Sequence, residues 1–562
     1  MSVSTGLSIL GLIKFILPDG STEPNEWNAA CDWPPDLFAA VAALAERSGL
    51  YSEAGWAAGF EIDDNWVSDT RRIGGLWADQ VTPPQEVEEL WSELITDYGE
   101  ESLYSRSPES LKWKSIALRL LSIADEACAG IGFAPGRPLE SESPIQYLVY
   151  EEFYNLAAHR VGSAASLEKL LPYLPYSLCV RVPPSIACVQ PKASTPAVGC
   201  TLRSLTHHLA LLPSVANVAT TWQPAASKPG KPREPFNILI VPFPFHVPGT
   251  SFTPASDPER RNERPFTLKP SAWMGKATAK DFADFLIKLI REAKGELEPV
   301  HAIVMPETAL PTTFANQVAA ILAKRTSLEL LITGVVADRE NELRNMAAMY
   351  RFLDQSVASA TFQSKHHRWI LSGDQVRRYH LGHVLDPNCK WWEKIDVSYR
   401  ACYVTTFRAQ ATLAVLVCED LARYDPVLTV MNAIGPNLVV ALLMDGPQLE
   451  QRWSGRYATA LAEDPGSAVL TVTSLGMVLR SSMPGDTENR EIALWKQPNG
   501  QARPLKLPKG DHALLVTLTS RLVEQYTLDG RGDGGSTVQF ELGAARPVRY
   551  PHRLPRWLVF KG

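Results

Sequence analysis

Hydrophobic positions after residue 236 follow two alternating patterns. Short apolar runs such as FNILIVPF, LELLITGVV, TLAVLVC and NLVVALLM predict buried strands. Between them, AKDFADFLIKLIREAKGEL repeats its apolar residues every three or four positions, which is typical of an amphipathic helix. A regular alternation of strands and helices predicts an α/β fold, in which functional side chains lie at the C-terminal ends of strands.

The first 222 residues carry a different pattern, and a break separates them from the rest. DLFAAVAALAERSG, PQEVEELWSELITDY, SLKWKSIALRLLSIADEAC and IQYLVYEEFYNLAAHR are spaced as helices. The following WQPAASKPGKPREP is rich in Pro, Lys, Ala and Gly without a hydrophobic period, which indicates a linker. We predict a mainly α-helical N-terminal region at 1–222, a linker at 223–235, an α/β domain at 236–545 and a C-terminal tail at 546–562.

Composition limits the class of protein. The chain has 562 residues, too many for one ordinary domain, and its 45% hydrophobic and 21% charged residues are typical of soluble globular proteins. The net charge of −6 argues against nucleic acid as a partner. No apolar run reaches the roughly 20 residues of a membrane-spanning helix. The short run LSILGLIKFIL contains Lys14 and lacks a basic start and a small-residue cleavage site, so we do not expect a signal peptide. Eight cysteines without a C-x-x-C pair favour free thiols in a reducing cytoplasm.

One cysteine occupies a position where a thiol could react. Cys418 ends the apolar run TLAVLVC and precedes two acids, although most buried cysteines only pack. A thiol with an ordinary pKa of about 8.5 needs a base or a nearby cation to become a nucleophile. Glu307 follows the strand HAIVMP, and Lys365 lies in FQSKHHRW after a strand-like segment. These two residues would supply the base and the cation if the three positions converge.

The segments MPETAL, SKHHRW and VCEDLARYDP, in this order, resemble the Glu–Lys–Cys motifs of the nitrilase, or carbon–nitrogen hydrolase, superfamily. The CEDL turn is also similar to the glutaminase domains of glutamine-dependent NAD synthetases. The resemblance covers roughly residues 236 to 530. It implies a four-layer α-β-β-α sandwich, hydrolysis of a non-peptide carbon–nitrogen bond in a small-molecule amide or nitrile, a homo-oligomer, and no metal or other cofactor.

The resemblance also implies roles for residues. Cys418 would attack the carbon of an amide, in preference to a nitrile, and form a covalent thioester. Glu307 would act as the general base, and Lys365 would remain a cation that favours the thiolate and stabilises the oxyanion. The backbone N–H of Glu419 is expected to be a second oxyanion donor.

A supporting acid is the least defined part of the predicted site. Many family members have a second acidic residue shortly after the lysine, and Asp374 and Glu393 are both candidates. The stretch between Lys365 and Cys418 is longer than in a compact member, which indicates an insertion there. Both candidates stay open at this point.

Other interpretations compete with a hydrolase. His380, His383, Cys389 and Cys402 have the side chains of zinc ligands, but their spacing matches no standard finger, so we expect no metal site. The chain contains no Gly-x-x-x-x-Gly-Lys loop and no S-G-G-x-D-S loop, which argues against a complete synthetase. The large N-terminal region leaves another function open. A sensing or effector protein, for instance in bacterial defence, would use the sandwich as a binding module and this region to contact a protein partner.

Overall fold

The computed structural model describes most of the chain. The described residues are 7–18, 29–54, 62, 65–80, 82–133, 143–159, 171–224, 235–255, 263–294, 299–337, 343–408, 410–482, 489–535 and 537–558. The predicted linker at 223–235 lies largely outside them, and so does the end of the predicted tail. Within the described residues, no helix has the length and apolar character needed to cross a membrane.

The N-terminal region is helical, as the sequence predicts. Its helices are α1 (Ile9–Ile16), α2 (Pro34–Ser48), α3 (Trp66–Gln80), α4 (Gln85–Tyr98), α5 (Ser110–Glu126) and α6 (Pro144–His159). Helix α5 contacts α2, α3 and α4, and it therefore organises the packing of this region. Helix α2 begins with two prolines and ends at Ser48, and the following Gly49, with a φ of +74°, provides a left-handed C-cap. The sequence predicts α2, α4, α5 and α6, and it misses α1 and α3.

Strands and shorter helices form the rest of the chain. The strands are β1 (Cys188–Pro191), β2 (Leu209–Leu212), β3 (Ala219–Gln223), β4 (Phe236–Ile240), β5 (Phe252–Pro254), β6 (Glu263–Leu268), β7 (Ala302–Val304), β8 (Leu310–Pro311), β9 (Leu330–Val336), β10 (Asn345–Leu353), β11 (Ser356–Ser364), β12 (Ile370–Leu371), β13 (Lys390–Glu393), β14 (Ala401–Phe407), β15 (Ala411–Val417), β16 (Leu438–Leu443), β17 (Ala468–Thr473), β18 (Glu491–Lys496), β19 (Ala502–Lys506), β20 (Ala513–Val523) and β21 (Thr537–Val548). The helices among them are α7 (Ser271–Met274), α8 (Ala279–Ala293), α9 (Thr312–Arg325), α10 (Gly373–Arg378), α11 (Thr429–Ile434), α12 (Trp453–Glu463) and α13 (Leu475–Arg480). The predicted alternation is therefore confirmed.

Two large sheets carry the α/β part. The first has the strand order β11-β10-β9-β7-β4-β20-β21, with β8 beside β9, and its strands β4, β7 and β9 run parallel. The second has the order β19-β18-β17-β16-β15-β14-β3, and its strands β15, β16 and β17 run parallel. A smaller sheet has the order β12-β13-β6-β5. The loops that follow parallel strands emerge at one edge of their sheet, where binding sites form in α/β proteins.

Alternate residues of the first sheet face two different cores. Phe236, Ile238 and Ile240 belong to the core shared with the second sheet, whereas Leu239 and Val241 belong to the core beneath α8 and α9. Helix α12 joins the parallel neighbours β16 and β17 and packs on β17 and β18. Helices thus cover both outer faces of the paired sheets, and the predicted four-layer α-β-β-α sandwich is confirmed.

The N-terminal region is built into this sandwich. Strand β3 precedes the predicted linker, yet it pairs in parallel with β14 and forms the edge of the second sheet. The boundary predicted at residue 222 therefore falls inside a strand of the sandwich. Side chains of the N-terminal helices and of the second sheet also belong to one continuous hydrophobic core.

A buried ion cluster joins α5 to the loop between β20 and β21. The guanidinium of Arg531 lies 2.9 Å from Asp529, 3.2 Å from Asp125 and 2.8 Å from Glu126. It also donates to the backbone oxygen of Leu205 at 2.7 Å. Arg531 has no exposed surface, so this cluster anchors the N-terminal helices to the sandwich from inside.

Candidate active site

Cys418 lies at the C-terminal end of β15. The strand ends at Val417, and Cys418 begins a short 3-10 turn that runs to Ala422. The φ of Cys418 is +49°, a left-handed conformation that is uncommon for a residue with a side chain. The residue is only 3% exposed. Backbone strain of this kind concentrates at functional sites, where the surrounding structure holds a side chain in a fixed direction.

A buried cation lies between two carboxylates close to this turn. Lys365 directly follows β11, and its Nζ lies 2.8 Å from Oε1 of Glu307 and 2.7 Å from Oε2 of Glu393. All three side chains are buried, and Lys365 has no exposed surface. Glu307 lies in the loop after β7, and Glu393 is the last residue of β13. Three segments that are distant in the sequence therefore converge on one ammonium group.

Asn345 holds the two carboxylates together, and the sequence analysis missed it. Its side-chain nitrogen donates to Oε1 of Glu307 at 2.7 Å and to Oε1 of Glu393 at 2.8 Å. Its backbone oxygen accepts the N–H of Lys365 at 2.8 Å. Asn345 therefore fixes both acids and the backbone of the lysine. Asn345 begins β10, which pairs with the strand that leads to Lys365, and no local sequence pattern marks it.

The charges of this cluster oppose the effect of burial. Burial raises the pKa of Glu307, the Lys365 cation lowers it, and the net result is a raised pKa. Burial alone would lower the pKa of Lys365, but Glu307 and Glu393 raise it well above its usual value. Lys365 is therefore a cation at neutral pH.

Cys418 is subject to the same charges. Burial raises the pKa of its thiol well above the usual value, the charge of Glu307 raises it further, and Lys365 lowers it. The resting side chain is therefore a thiol rather than a thiolate. Oε2 of Glu307 is buried and has no hydrogen-bond partner in the described part of the chain. This oxygen is free to accept a proton.

The backbone N–H of Met444 donates to Cys418, which lowers the pKa of the thiol. Met444 is the first residue after β16, the parallel neighbour of β15. Its Sδ accepts a hydrogen bond from Oγ1 of Thr308, the residue after Glu307, at 3.0 Å. Met444 therefore contacts both the cysteine turn and the loop of the acid. No sequence signal marks it, because these contacts depend on how β15 and β16 pair.

A polar cluster next to Met444 connects the insertion to the site. The carboxylate of Asp445 accepts hydrogen bonds from the Tyr379 hydroxyl at 2.7 Å, from Arg452 at 2.7 Å and from the Trp453 indole at 3.0 Å. Tyr379 follows α10 and belongs to the insertion predicted before the cysteine. The insertion therefore contacts Asp445, which directly follows Met444, the residue whose backbone N–H donates to Cys418.

Of the two candidates for the supporting acid, the structure brings only Glu393 to the site. Asp374 lies in α10, its side chain is 87% exposed, and it pairs with Arg377 at 2.7 Å. The insertion forms α10 at the surface and returns to Lys365 only in β13, so the acid nearer in sequence is the one farther away in space. Asp374 is therefore not part of this cluster, which corrects that prediction.

The remaining predicted residues occupy other positions. Glu419 lies in the turn behind Cys418, and its carboxylate pairs with Arg423 at 2.6 Å, while the role of its backbone N–H stays a prediction. Cys402 is buried in β14, and the thiol of Cys389 donates to Asp386 at 3.5 Å. Across the described ranges, no group of three or more His, Cys, Asp and Glu side chains could hold a metal ion.

Known proteins match this chain in structure and not in sequence. No protein-family model matches the chain. No curated protein sequence matches it either.

Solved structures that match this chain include members of the nitrilase superfamily and glutamine-dependent NAD synthetases. Nit3 of Saccharomyces cerevisiae, a member of branch 10 of the nitrilase superfamily, aligns over 52% of this chain and 92% of its own, with 12% identity and a TM-score of 0.30. The amidase of Nesterenkonia AN1 aligns over 52% and 93%, with 13% identity and a TM-score of 0.30. The glutamine-dependent NAD⁺ synthetase of Acinetobacter baumannii aligns over 50% and 45%, with 12% identity and a TM-score of 0.31. These are the groups that the sequence motifs resemble.

Proposed function

We propose that this protein hydrolyses a non-peptide carbon–nitrogen bond, in an amide in preference to a nitrile. The observation that supports this function is the contact of the buried Lys365 cation with Glu307 and Glu393, close to a strained cysteine at a strand end. Such a cluster combines a nucleophile, a base and a cation, and it needs neither a metal nor an organic cofactor.

In the first half-reaction, the sulfur of Cys418 bonds to the carbonyl carbon of the amide. Oε2 of Glu307 accepts the thiol proton, and the carbonyl π electrons move to the oxygen. The charge of Lys365 and backbone N–H groups stabilise that oxyanion. Glu307 then gives the proton to the departing nitrogen, the carbon–nitrogen bond breaks, and a thioester remains on Cys418. The raised pKa of Glu307 suits this donation, which the leaving nitrogen of an amide requires.

Water completes the cycle. Glu307 takes a proton from water as the water oxygen bonds to the thioester carbon. The carbon–sulfur bond then breaks, the proton passes to the sulfur, and the acid product leaves. Hydrogen bonds of 2.7–2.8 Å from Asn345 and Lys365 to the two glutamates keep the base and the cation aligned through both halves.

Ammonia release from a panel of simple amides and nitriles tests this reaction. Cys418→Ala should lower turnover by about a thousandfold or more, because it removes the nucleophile. Cys402→Ala is the matched control, since Cys402 is another buried cysteine of the same sheet. Mass spectrometry of acid-quenched wild type should find the acyl group on Cys418. Turnover that survives in Cys418→Ala would refute the assignment of the nucleophile.

The same screen addresses the second interpretation of the sequence. If no amide or nitrile is hydrolysed and a small molecule or protein co-purifies with the chain, the sandwich serves as the binding module of a sensing or effector protein. We also propose that the hydrolase forms a homo-oligomer and is located in the cytoplasm. Sedimentation of the full chain and cell fractionation test them.

A further inference from the structure

Asp420 ties the turn of Cys418 to the segment that carries Lys365. Its carboxylate accepts the backbone N–H of His366 through both oxygens at 3.1 Å, and it accepts the N–H of His367 at 3.1 Å. The side chain of Asp420 has no exposed surface. Water does not compete with these buried bonds. Burial raises the pKa of Asp420 well above its usual value, and the N–H groups of His366 and His367 act in the opposite direction.

These bonds join segments that are distant in the chain. Two further bonds join the same segments: Nε2 of Gln363 donates to the backbone oxygen of Val415 at 2.7 Å, and the His367 ring donates to the backbone oxygen of Asp425 at 2.7 Å. His366 and Asp420 are 54 positions apart, and the chain between them passes through β12, α10, β13, β14 and β15. Lys365 immediately precedes His366, and Cys418 lies two residues before Asp420. The position of the Lys365 ammonium relative to the sulfur therefore depends on contacts such as these.

The imidazole ring of His366 lies beside Asp420 but does not form an ion pair with it. The Nδ1 of His366 lies 3.9 Å from Oδ2 of Asp420, while its Nε2 faces the backbone oxygen of Ala401 at 2.9 Å. Burial lowers the pKa of His366 to about 4, so the ring is neutral at pH 7. The contacts of this segment with Asp420 are therefore made by the backbone amides of His366 and His367 and not by the His366 ring.

We infer that Asp420 is a positioning residue: it holds Lys365 at the place from which its cation promotes thiolate formation at Cys418. The inference rests on the proposed function for its purpose. Its test does not, because the reactivity of a thiol can be measured without a substrate.

Asp36 offers a matched comparison elsewhere in the fold. It lies in α2, has no exposed surface, and accepts the backbone N–H groups of Val180, Arg181 and Val182 at 3.0–3.2 Å. The two aspartates make the same kind of bond, but Asp36 belongs to the N-terminal region. Its removal should therefore cost stability without changing the cysteine.

The rate of alkylation of Cys418 by iodoacetamide, followed on the Cys418 peptide in the full chain, tests the inference. The wild type, Asp420→Ala, Asp420→Asn and Asp36→Ala are compared from about pH 6 to the highest pH at which each variant stays folded, because burial raises the pKa of Cys418. In Asp420→Ala we expect the rate at neutral pH to fall about tenfold and the midpoint to move to higher pH, because Lys365 moves away. Asp420→Asn should show a smaller change in the same direction, since its carbonyl oxygen still accepts an N–H. Asp36→Ala should lower the melting temperature and leave rate and midpoint at the wild-type values.

Three results would overturn the inference. The first is a wild-type rate and midpoint in Asp420→Ala. The second is an equal change in Asp36→Ala, which would mean general destabilisation. The third is faster alkylation with a midpoint at lower pH, which would mean that Asp420 acts only through its charge. If Asp420→Ala does not fold, Asp420→Asn decides, and wild-type alkylation in it overturns the inference. Failure of the wild type to hydrolyse any amide or nitrile would count against the proposed function and would not alter these alkylation results.

Discussion

Gly334 lies directly against the backbone of Glu307. A Cβ at position 334 would come within 2.4 Å of the Cα of Glu307 and within 2.4 Å of the backbone nitrogen of Thr308. The N–H of Gly334 also donates to the backbone oxygen of Pro306 at 2.9 Å. Strand β9 therefore holds the loop of the acid in place at a position that has no room for a side chain.

Gly334→Ala should lower the free energy of unfolding by about 1–3 kcal/mol, because its methyl group meets backbone atoms that cannot rotate away. It should also reduce turnover, since Glu307 is displaced. Unfolding in urea measures the first effect. Gly75→Ala in α3 is the control, because no atom lies within 4 Å of the added Cβ and alanine favours a helix. Equal stability of the two variants would contradict this account.

Lys365→Met should lower the free energy of unfolding by about 3–5 kcal/mol at pH 8, because two buried carboxylates lose their cation. Lys365 lowers the pKa of Glu307 in the wild type, so its loss raises a pKa that burial already raises. A carboxyl with a raised folded-state pKa loses stability as pH rises, so Lys365→Met should regain stability as the pH falls. Denaturation at several pH values measures both effects.

The double variant Lys365→Met/Glu393→Gln should recover part of that loss, because one of the two unpaired charges is gone. Asp374→Asn should stay within about 0.5 kcal/mol of the wild type, since Asp374 is a surface residue. A double variant no more stable than Lys365→Met alone would show that repulsion between the acids is not the cause.

Arg531→Met should lower the free energy of unfolding by about 3–5 kcal/mol, because it leaves Asp125 and Asp529 buried without their cation. Arg521→Met removes an exposed partner of Glu541 and should change stability by no more than about 1 kcal/mol. Equilibrium unfolding of both variants makes the comparison. Similar losses in the two would mean that the buried cluster does not fasten the N-terminal helices.

His207 should make the protein sensitive to acid. Burial and the nearby Arg531 lower the pKa of His207 from its usual 6.5 to about 3. Below pH 6.5 the unfolded chain takes up a proton that the folded chain excludes, so stability falls as the pH falls towards 3. His207→Gln should reduce the loss of stability between pH 7 and pH 5 by about 2 kcal/mol.

Glutamine can replace both hydrogen bonds of that ring, to Thr195 and to the backbone oxygen of Arg531. His552→Gln, at an exposed histidine, is the control and should leave the pH dependence unchanged. Urea denaturation of each variant at the two pH values gives the result. An unchanged pH dependence in His207→Gln would remove His207 as the cause.

The strand ends of the site could be predicted from the sequence because the local pattern contains them. Cys418 follows a continuous apolar run, and Glu307 follows another, and such runs mark strands buried on both faces. The residue that follows a buried parallel strand lies at the edge of the sheet. The positions of both residues thus depend on neighbours in sequence.

The rest of the site depends on packing between distant segments. Asn345 reaches both glutamates only because β10 lies next to β11, and no local pattern distinguishes it from other asparagines. The choice between Asp374 and Glu393 depends on the direction in which α10 leaves the site. Strand β3 was missed for a related reason: its sequence ATTWQ is not an apolar run, and it is buried only by its place against β14.

The pairing of β3 with β14 has a consequence for how this chain can be divided. The segments before and after residues 225–234 contribute strands to the same sheet. A second link is the ion pair between Arg531, which follows this interval, and Asp125, which precedes it. A chain cleaved in that interval should remain a non-covalent complex of two fragments. A gene fragment that starts at residue 236 would leave the backbone of β14 as an open edge, which invites aggregation. We therefore expect the Pro-rich interval to be a poor site for recombination between proteins, because strands from both sides of it belong to one sheet.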